Sequence, residues 1–471
     1  MVWFQASRWR ASIPEKNLAA PRLTLGGWLG GLGPPGPLAL DELTACFLRA
    51  CRAHAAGLRE ARSAGLDRSL IGWRATLVDG LRAGLRTTVA SLDHIASRTT
   101  LDLLWERLHE VLPERPDLAR VLVARLCADA LDEAVGHQFV ACFRQRARWR
   151  LAPGDPFPVA APSLRELFGK QLISHPDGRD LQIDRTARLA LAPDADGVEL
   201  VLDLDAELPV PGPDATLAVC LPFATPLTEL RWDEDHERGR FFAVRPRDAE
   251  AAVRAVRELV AQAVAARAQI VLFPELSVTD EGLAVVAGAA ATLQPPPLVV
   301  AGTRHTAEGG PARNVATVMA GERRFEHGKW NPFVHGELVE GLDAAPAQVI
   351  VRGTVDGAGR YVWSVAVLVC KDFLSLGAHH ALTSVRPSLI LVPAMSERTA
   401  VFEADAAGLT AATQATCVIA NQVAPARPGE HEDPAVVIVT RPVPWALTEI
   451  VRRSEVSPPV CVLLHLRPAP P

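Results

Sequence analysis

The sequence predicts an α/β fold preceded by an α-helical region, and three observations predict it. From about residue 215 onward, short apolar runs alternate with amphipathic stretches in the order strand, helix, strand. Several runs, such as Ile270-Val271-Leu272-Phe273, are apolar throughout, and a strand of that kind needs cover on both faces. Between about residues 41 and 147, apolar residues instead recur at intervals of three and four, the period of a helix face.

Taken in order, residues 1–38 read as an irregular arm that ends in the Gly/Pro-rich segment 26–37. Residues 39–150 read as a helical domain. Asp41 can cap a helix carrying Leu43, Phe47, Leu48 and Cys51, and further helices suit roughly 68–97, 100–112 and 117–147, with Pro113 and Pro116 punctuating the last two. Residues 151–213 form a Pro/Asp-rich connector. Within it, strand-like runs at 181–191 and 198–204 flank the turn signal Pro193-Asp194-Ala195-Asp196-Gly197, which predicts a β-hairpin.

Residues 214–471 carry the α/β pattern. A short buried strand is expected at 217–220, followed by a helix capped by Asp248 with Val253, Val256, Leu259, Val260 and Val264 on one face. Further strands are expected at 270–273, 298–301, 315–319, 362–369, 389–392, 418–420, 436–439 and 460–464. The polar stretch 231–237 reads as a solvated loop, placed where a loop could also gate a pocket.

Composition narrows the function. The chain has 471 residues, 49% hydrophobic and 22% charged, which fits folded domains and excludes a mainly disordered chain. The net charge of −5 divides into +6 over residues 1–150 (21 Lys+Arg, 15 Asp+Glu) and −11 over the rest. Without a dense basic run, no nucleic-acid site is expected, and Arg144, Arg146, Arg148 and Arg150 read as a solvated helix terminus. The uncharged stretches 23–40 and 282–303 are interrupted by glycines and prolines, so neither is expected to span a membrane. The first residues lack the basic-then-apolar order of a secretory signal, and the eight cysteines show neither paired metal spacing nor a disulfide framework. A cytoplasmic protein without metal or cofactor is expected. His379-His380 and His327/His335 lack partners at metal spacing, and Gly302, Gly309 and Gly310 make no phosphate cradle.

Only four of 49 basic residues are lysine: Lys16, Lys170, Lys329 and Lys371. Arginine and lysine differ in shape and in acidity, so a lysine in such a chain can mark a position where a point charge is needed.

Three residues stand at or just beyond strand ends, where α/β domains usually hold their chemistry. Glu275 follows the run 270–273 through Pro274, Lys329 lies beyond the run 315–319, and Cys370 closes the run 363–369. Taken singly, each also fits a structural role. Together a thiol, a carboxylate and an ammonium suffice for covalent acyl transfer, as nucleophile, proton carrier and stabiliser of the oxyanion.

In their order these segments resemble the nitrilase (carbon–nitrogen hydrolase) superfamily, over about residues 215–465. Ala268-Gln269-Ile270-Val271-Leu272-Phe273-Pro274-Glu275-Leu276 is similar to the family's glutamate segment, and Asn314-Val315-Ala316-Thr317-Val318 leading to Gly328-Lys329-Trp330-Asn331-Pro332 to its lysine segment. Val367-Leu368-Val369-Cys370-Lys371-Asp372 resembles the nucleophile segment. Residues 412–422, ending Ala420-Asn421-Gln422, look like a later helix-to-strand passage. The resemblance implies a four-layer αββα sandwich, with Cys370 as nucleophile, Glu275 as base and Lys329 beside the backbone N–H of Lys371 as oxyanion stabilisers. Trp330 and Asn331 are the neighbouring candidates for substrate binding. A second glutamate is implied shortly after the lysine, with Glu337 the first choice and Glu340 the second. The sequence departs from the family at Lys371, where an aromatic residue is common, and at Phe373-Leu374-Ser375, where an Arg-containing continuation is common. The Lys371 ammonium could favour the thiolate, or pair with Asp372 or Glu403.

The expected function is hydrolysis of a non-peptide C–N bond in a small amide or carbamoyl compound through a thioester, by a protein that the resemblance implies is a homodimer. Two alternatives stand beside it. One is a ligand-binding or oligomerising module serving a helical domain that docks a protein partner; the other is acyl transfer to an amine.

Overall fold

The computed structural model describes residues 38–53, 71–84, 89–90, 116–144, 148–159, 186, 188–204, 207–212, 214–223, 229–235, 239–306, 313–335, 337–342, 346–355, 361–422, 435–443, 446–454 and 457–466. The expected arm, apart from Leu38, and the expected helix at 100–112 lie outside these residues.

In chain order the elements begin with β1 (Leu38–Ala39), α1 (Leu40–Ala53), α2 (Ile71–Gly84), β2 (Val89–Ala90) and α3 (Pro116–Arg144). Next come β3 (Arg148–Leu151), β4 (Pro156–Pro158), β5 (Leu189–Leu191), β6 (Glu199–Asp203), β7 (Thr216–Leu221), β8 (Leu230–Asp235) and β9 (Arg240–Pro246). They are followed by α4 (Ala249–Ala265), β10 (Ile270–Phe273), α5 (Asp280–Ala290), β11 (Leu298–Thr306), β12 (Arg313–Ala320), β13 (Arg323–Gly328), β14 (Val334–His335) and β15 (Leu338–Glu340). The remainder comprises β16 (Gln348–Val355), β17 (Tyr361–Val367), α6 (Leu376–Val385), β18 (Leu389–Ala394), α7 (Thr399–Thr413), β19 (Thr416–Asn421), β20 (Val437–Val443), β21 (Ala446–Arg453) and β22 (Val460–His465). Among the described residues no helix is long and apolar enough to cross a membrane.

These elements divide into two units. In the first, α1 and α2 pack on α3, burying Leu43, Phe47, Leu48 and Cys51 of α1 as their spacing predicts. Helix α1 starts at Leu40, ahead of the residue expected to cap it. Asp132 on α3 is buried and accepts hydrogen bonds from Thr186 Oγ1 (2.7 Å) and Arg188 N–H (3.0 Å).

The second unit is an α/β structure with two large mixed sheets. Six strands run in the order β13-β12-β11-β10-β7-β22, and eight in the order β21-β20-β19-β18-β17-β16-β6-β3. Helices α4 and α5 pack on the six-stranded sheet, α6 and α7 on the eight-stranded one, and the two sheets touch through β7, β10 and β11 against β18 and β19. The continuous apolar runs sit where both faces are covered: Ile270–Phe273 and Leu389–Ala394 are buried along their whole length. Asp248 caps α4 as expected, accepting the Ala251 N–H at 2.8 Å.

Three sequence expectations are corrected here. The runs 181–191 and 198–204 do not form a hairpin: β5 pairs with β4, whereas β6 pairs with β3 and β16 in the eight-stranded sheet. The turn at 193–197 does form, with Val198 N–H on Ala195 O at 2.9 Å, but a local turn cannot outweigh the deeper burial that each strand finds elsewhere. The stretch 231–237, read as a solvated loop, supplies β8, which joins the four-stranded sheet β14-β15-β9-β8. Trp232 packs on its apolar cluster while Arg231 and Glu234 are exposed, so polarity masked the strand. Arg148 and Arg150 lie on β3 rather than on a helix end, and Arg150 pairs with Glu199 of β6 at 3.1 Å.

Candidate active site

Strand direction brings three distant segments to one end of the six-stranded sheet. Strands β10 and β11 are parallel, and β12 returns antiparallel to β11. Strand β13, antiparallel to β12, therefore ends where β10 ends, delivering Lys329 to the level of Glu275. The end of β18 meets this edge, since Glu275 N–H points to Ala394 O at 3.4 Å.

Glu275 sits in a strained turn. Leu276 has φ +55°, a left-handed conformation unfavourable for a branched side chain. Two contacts hold it: Leu276 N–H donates to Thr303 Oγ1 at 2.9 Å and Ser277 Oγ to Pro274 O at 2.6 Å. The partner segment on β11 is a bulge at Gly302, φ +60°, where a Cβ would lie 2.3 Å from Pro274 O. Only glycine lets the two backbones approach this closely.

Lys329 is sealed from solvent. Its ammonium lies 2.7 Å from Glu275 Oε1 and 2.7 Å from Glu340 Oε2. Asn314 joins the same carboxylates from below, its Nδ2 donating at 2.9 Å to Glu275 Oε1 and at 2.9 Å to Glu340 Oε1. Glu340 also accepts the Phe333 N–H at 2.8 Å and lies 2.8 Å from His305 Nε2. Burial pushes the Lys329 ammonium down, but the Glu275 and Glu340 carboxylates outweigh it and hold the group well above the usual lysine range. Burial likewise pushes the Glu340 carboxyl up. The Lys329 charge and the His305 hydrogen bond reverse that and hold it well below the usual carboxylate range.

Cys370 follows β17 with φ +48° and opens a short 3-10 turn, Cys370–Asp372. Its Sγ is buried, 3.9 Å from Met395 O, and within hydrogen-bonding reach of the Glu275 carboxylate. Burial and the Glu275 charge push the thiol well above the usual cysteine range, against the opposing pull of Lys329. The thiol form is thus favoured over the thiolate, with the Glu275 carboxylate nearby. The next residue, Ser396, is held by Asn421, whose Oδ1 accepts the Ser396 N–H at 2.8 Å and whose Nδ2 donates to Ser396 O at 2.9 Å.

The structure thus brings Glu275, Lys329 and Cys370 together, and it separates other expected residues from them. Glu337, the first choice for the second glutamate, is exposed; Glu340, the second choice, occupies that position. The reason is the pleat of β15: burial along 338–340 alternates in, out, in, so Glu340 points inward while Glu337 precedes the strand. Lys371 is exposed, and its ammonium donates to Pro332 O at 3.1 Å. Trp330 and Asn331 both point their backbone N–H groups at the buried Asp372 carboxylate, Asn331 at 2.8 Å and Trp330 at 3.3 Å, and Asn331 Nδ2 donates to Lys371 O at 3.5 Å. Burial raises the Asp372 carboxyl, against those N–H groups and Lys329. Asp372 thereby ties the lysine loop to the cysteine turn.

Sequence reasoning missed His305 and gave Asn314, a member of the segment leading to Lys329, no role. They are register partners on β12 and β11, so their side chains leave the same face of the sheet, toward Glu340. A period-two reading of the segment Thr303-Arg304-His305 could have found His305, because Thr303 already faces Glu275's turn. His379 bonds Phe373 O at 2.8 Å and His380 lies 3.1 Å from Asp196, both away from this cluster. The His335 side chain lies outside the described residues. Among the described residues, no group of three His, Cys, Asp or Glu side chains could hold a metal ion.

No protein-family model matches the sequence, and no curated protein matches it. Among solved structures the chain is similar to an amidase from Nesterenkonia sp. (16% identity, 54% of this chain and 90% of that one, TM-score 0.38). It is also similar to Saccharomyces cerevisiae Nit3, a member of branch 10 of the nitrilase superfamily (12% identity, 54% and 90%, TM-score 0.39). A third is a carbon–nitrogen hydrolase from Helicobacter pylori G27 (12% identity, 54% and 89%, TM-score 0.39).

Proposed function

We propose that the α/β unit is a carbon–nitrogen hydrolase of the nitrilase type, cleaving a small amide or carbamoyl compound through a thioester on Cys370. One observation carries the reading: a buried ammonium, Lys329, is held between two carboxylates at 2.7 Å each, next to a buried thiol at a strand end. The segments bearing these groups are those that resemble the superfamily. The layering of helices, sheet, sheet and helices also fits the αββα sandwich expected from that resemblance.

In this reading, Glu275 takes the Cys370 proton as sulfur attacks the substrate carbonyl. The C–S bond forms, and the carbonyl electron pair moves onto oxygen. Lys329 and the Lys371 backbone N–H stabilise that oxyanion, a contribution of about 3–4 kcal/mol per donor in sites of this type. Glu275 then delivers its proton to the departing amine as the C–N bond breaks. Water, deprotonated by Glu275, attacks the thioester, and the thiol regains its proton as the acid leaves.

The raised thiol acidity constant makes a neighbouring base necessary, and Glu275 is the carboxylate within reach. Glu340 and Asn314 hold the ammonium and the base in register. The apolar residues Leu276, Leu338, Met395 and Phe333 pack in one cluster beside these groups, a low-dielectric wall in which charge stabilisation is strong.

The test is ammonia release from a panel of amides, carbamoyl compounds and nitriles, with intact-protein mass spectra under single turnover. Wild-type protein should release ammonia and show an acyl adduct on the Cys370 peptide, and Cys370→Ala should show neither. Turnover by Cys370→Ala, or an adduct on another residue, would overturn the assignment.

A further inference from the structure

Two thiols lie face to face on the side of the six-stranded sheet away from the nucleophile. Cys220 of β7 and Cys461 of β22 are direct register partners in an antiparallel pair. Directly opposed residues in such a pair leave the same face of the sheet, with Cα atoms about 4.5–5.5 Å apart. That is inside the span of roughly 4.4–6.8 Å that a disulfide bridges. Both side chains pack into one apolar cluster with Val256, Leu259 and Val260 of α4. Cys220 is buried under α4, its Sγ 3.9 Å from Leu259 O, whereas Cys461 is only partly buried on an edge strand.

We propose that Cys220 and Cys461 are a modification site, joined into an intramolecular disulfide by exchange with a small-molecule disulfide of the glutathione type. Cys461 is the entry point because it can be reached from solvent. Its thiolate attacks one sulfur of the small disulfide, forming a mixed disulfide and expelling one thiolate. Cys220 then gives up its proton and attacks Cys461 Sγ, forming the bridge and expelling the second thiolate. In sum, two protein thiols are oxidised and one small disulfide is reduced to two thiols. The division of labour fits the local electrostatics. The neighbouring Cys220 holds the Cys461 thiol below the usual cysteine range, while Cys461 and burial raise Cys220. The bridge would pin β22, an edge strand, to β7 and enclose about half of the chain between them, restricting the unfolded ensemble.

The inference does not depend on the hydrolase reading, because neither thiol belongs to that cluster. The test uses the full chain incubated with oxidised glutathione at mild alkaline pH, then trapped with an alkylating reagent and mapped without reduction. The expected result is a linked pair of peptides carrying Cys220 and Cys461, reversed by dithiothreitol, with an upward shift in melting temperature while the bridge is present. Cys220→Ser should instead keep a stable glutathione adduct on Cys461, and Cys461→Ser should leave Cys220 unmodified. Wild-type protein that keeps both thiols free, or that accumulates the Cys461 adduct without the bridge, would overturn the proposal.

Discussion

His305 Nε2 lies 2.8 Å from Glu340 Oε1, with both side chains closed to solvent. The other ring nitrogen accepts the Val244 N–H at 2.9 Å, so the ring proton sits on Nε2 and is donated to the carboxylate. A neutral imidazole thus connects β9 to the glutamate that grips Lys329. Replacing His305 with alanine strands a buried N–H and removes a donor from a buried carboxylate. The expected cost is about 1–3 kcal/mol for each stranded group, read as a lower urea midpoint, with kcat falling more than KM rises. His305→Gln can restore the donor to Glu340 and should recover part of the loss. An alanine variant with unchanged midpoint and kcat would remove His305 from the support of the site.

Glu337 and Glu340 are three positions apart, the first exposed and the second buried against Lys329. Glu340→Gln leaves Lys329 with one carboxylate in place of two, and should reduce ammonia release at least tenfold while lowering stability by about 3 kcal/mol or more. Glu337→Gln, at an exposed position, should change stability by less than about 0.5 kcal/mol and leave turnover intact. Parallel assays of the two variants decide it, and equal effects would contradict the geometry.

Stability should have a plateau with losses on both flanks. The Glu340 carboxyl is held below its ordinary 4.5, so its contribution is complete above that value and fades as the pH falls through the lower folded one. The Cys370 thiol and the Lys329 ammonium are held above 9.0 and 10.5, so the fold keeps protons that the unfolded chain releases. Stability therefore declines as the pH rises beyond those values. Urea midpoints measured across the pH range should show this shape, with a shallower acid flank in Glu340→Gln. An acid flank identical to wild type would show that Glu340 is not held as described.

Gly302→Ala places a methyl group 2.3 Å from the Pro274 carbonyl and demands φ +60° of a residue with a Cβ. Something must shift, and the segment that shifts carries Glu275. The expected loss is about 2–4 kcal/mol in stability together with most of the activity. Circular dichroism melts and ammonia release measure both. A variant that melts and turns over like wild type would mean the turn is not clamped by this contact.

Much of the α/β unit was legible in the sequence because burial on both faces leaves a local trace. The runs at 217–220, 270–273 and 389–392 are apolar throughout and became central strands, and Asp248 capped the helix it precedes. Glu275, Lys329 and Cys370 stood out because each follows such a run, and Lys329 is one of only four lysines. The partly wet strand β8 was not legible, although the partly exposed β22 was expected at 460–464. The charges of Arg231-Trp232-Asp233-Glu234-Asp235 read as a loop although the segment pairs with β9 as β8.

What the sequence by itself determined was the identity and order of the reactive groups, since covalent connectivity and strand hydrophobicity are local properties. What only the tertiary structure decided was which neighbours those groups acquire. Glu340 rather than Glu337 faces Lys329 because one strand's pleat turns it inward. His305 and Asn314 reach Glu340 because antiparallel register sets them side by side. Cys220 meets Cys461 across more than two hundred residues for the same reason. Register is fixed by the burial of whole faces, a sum over many residues that no single segment carries.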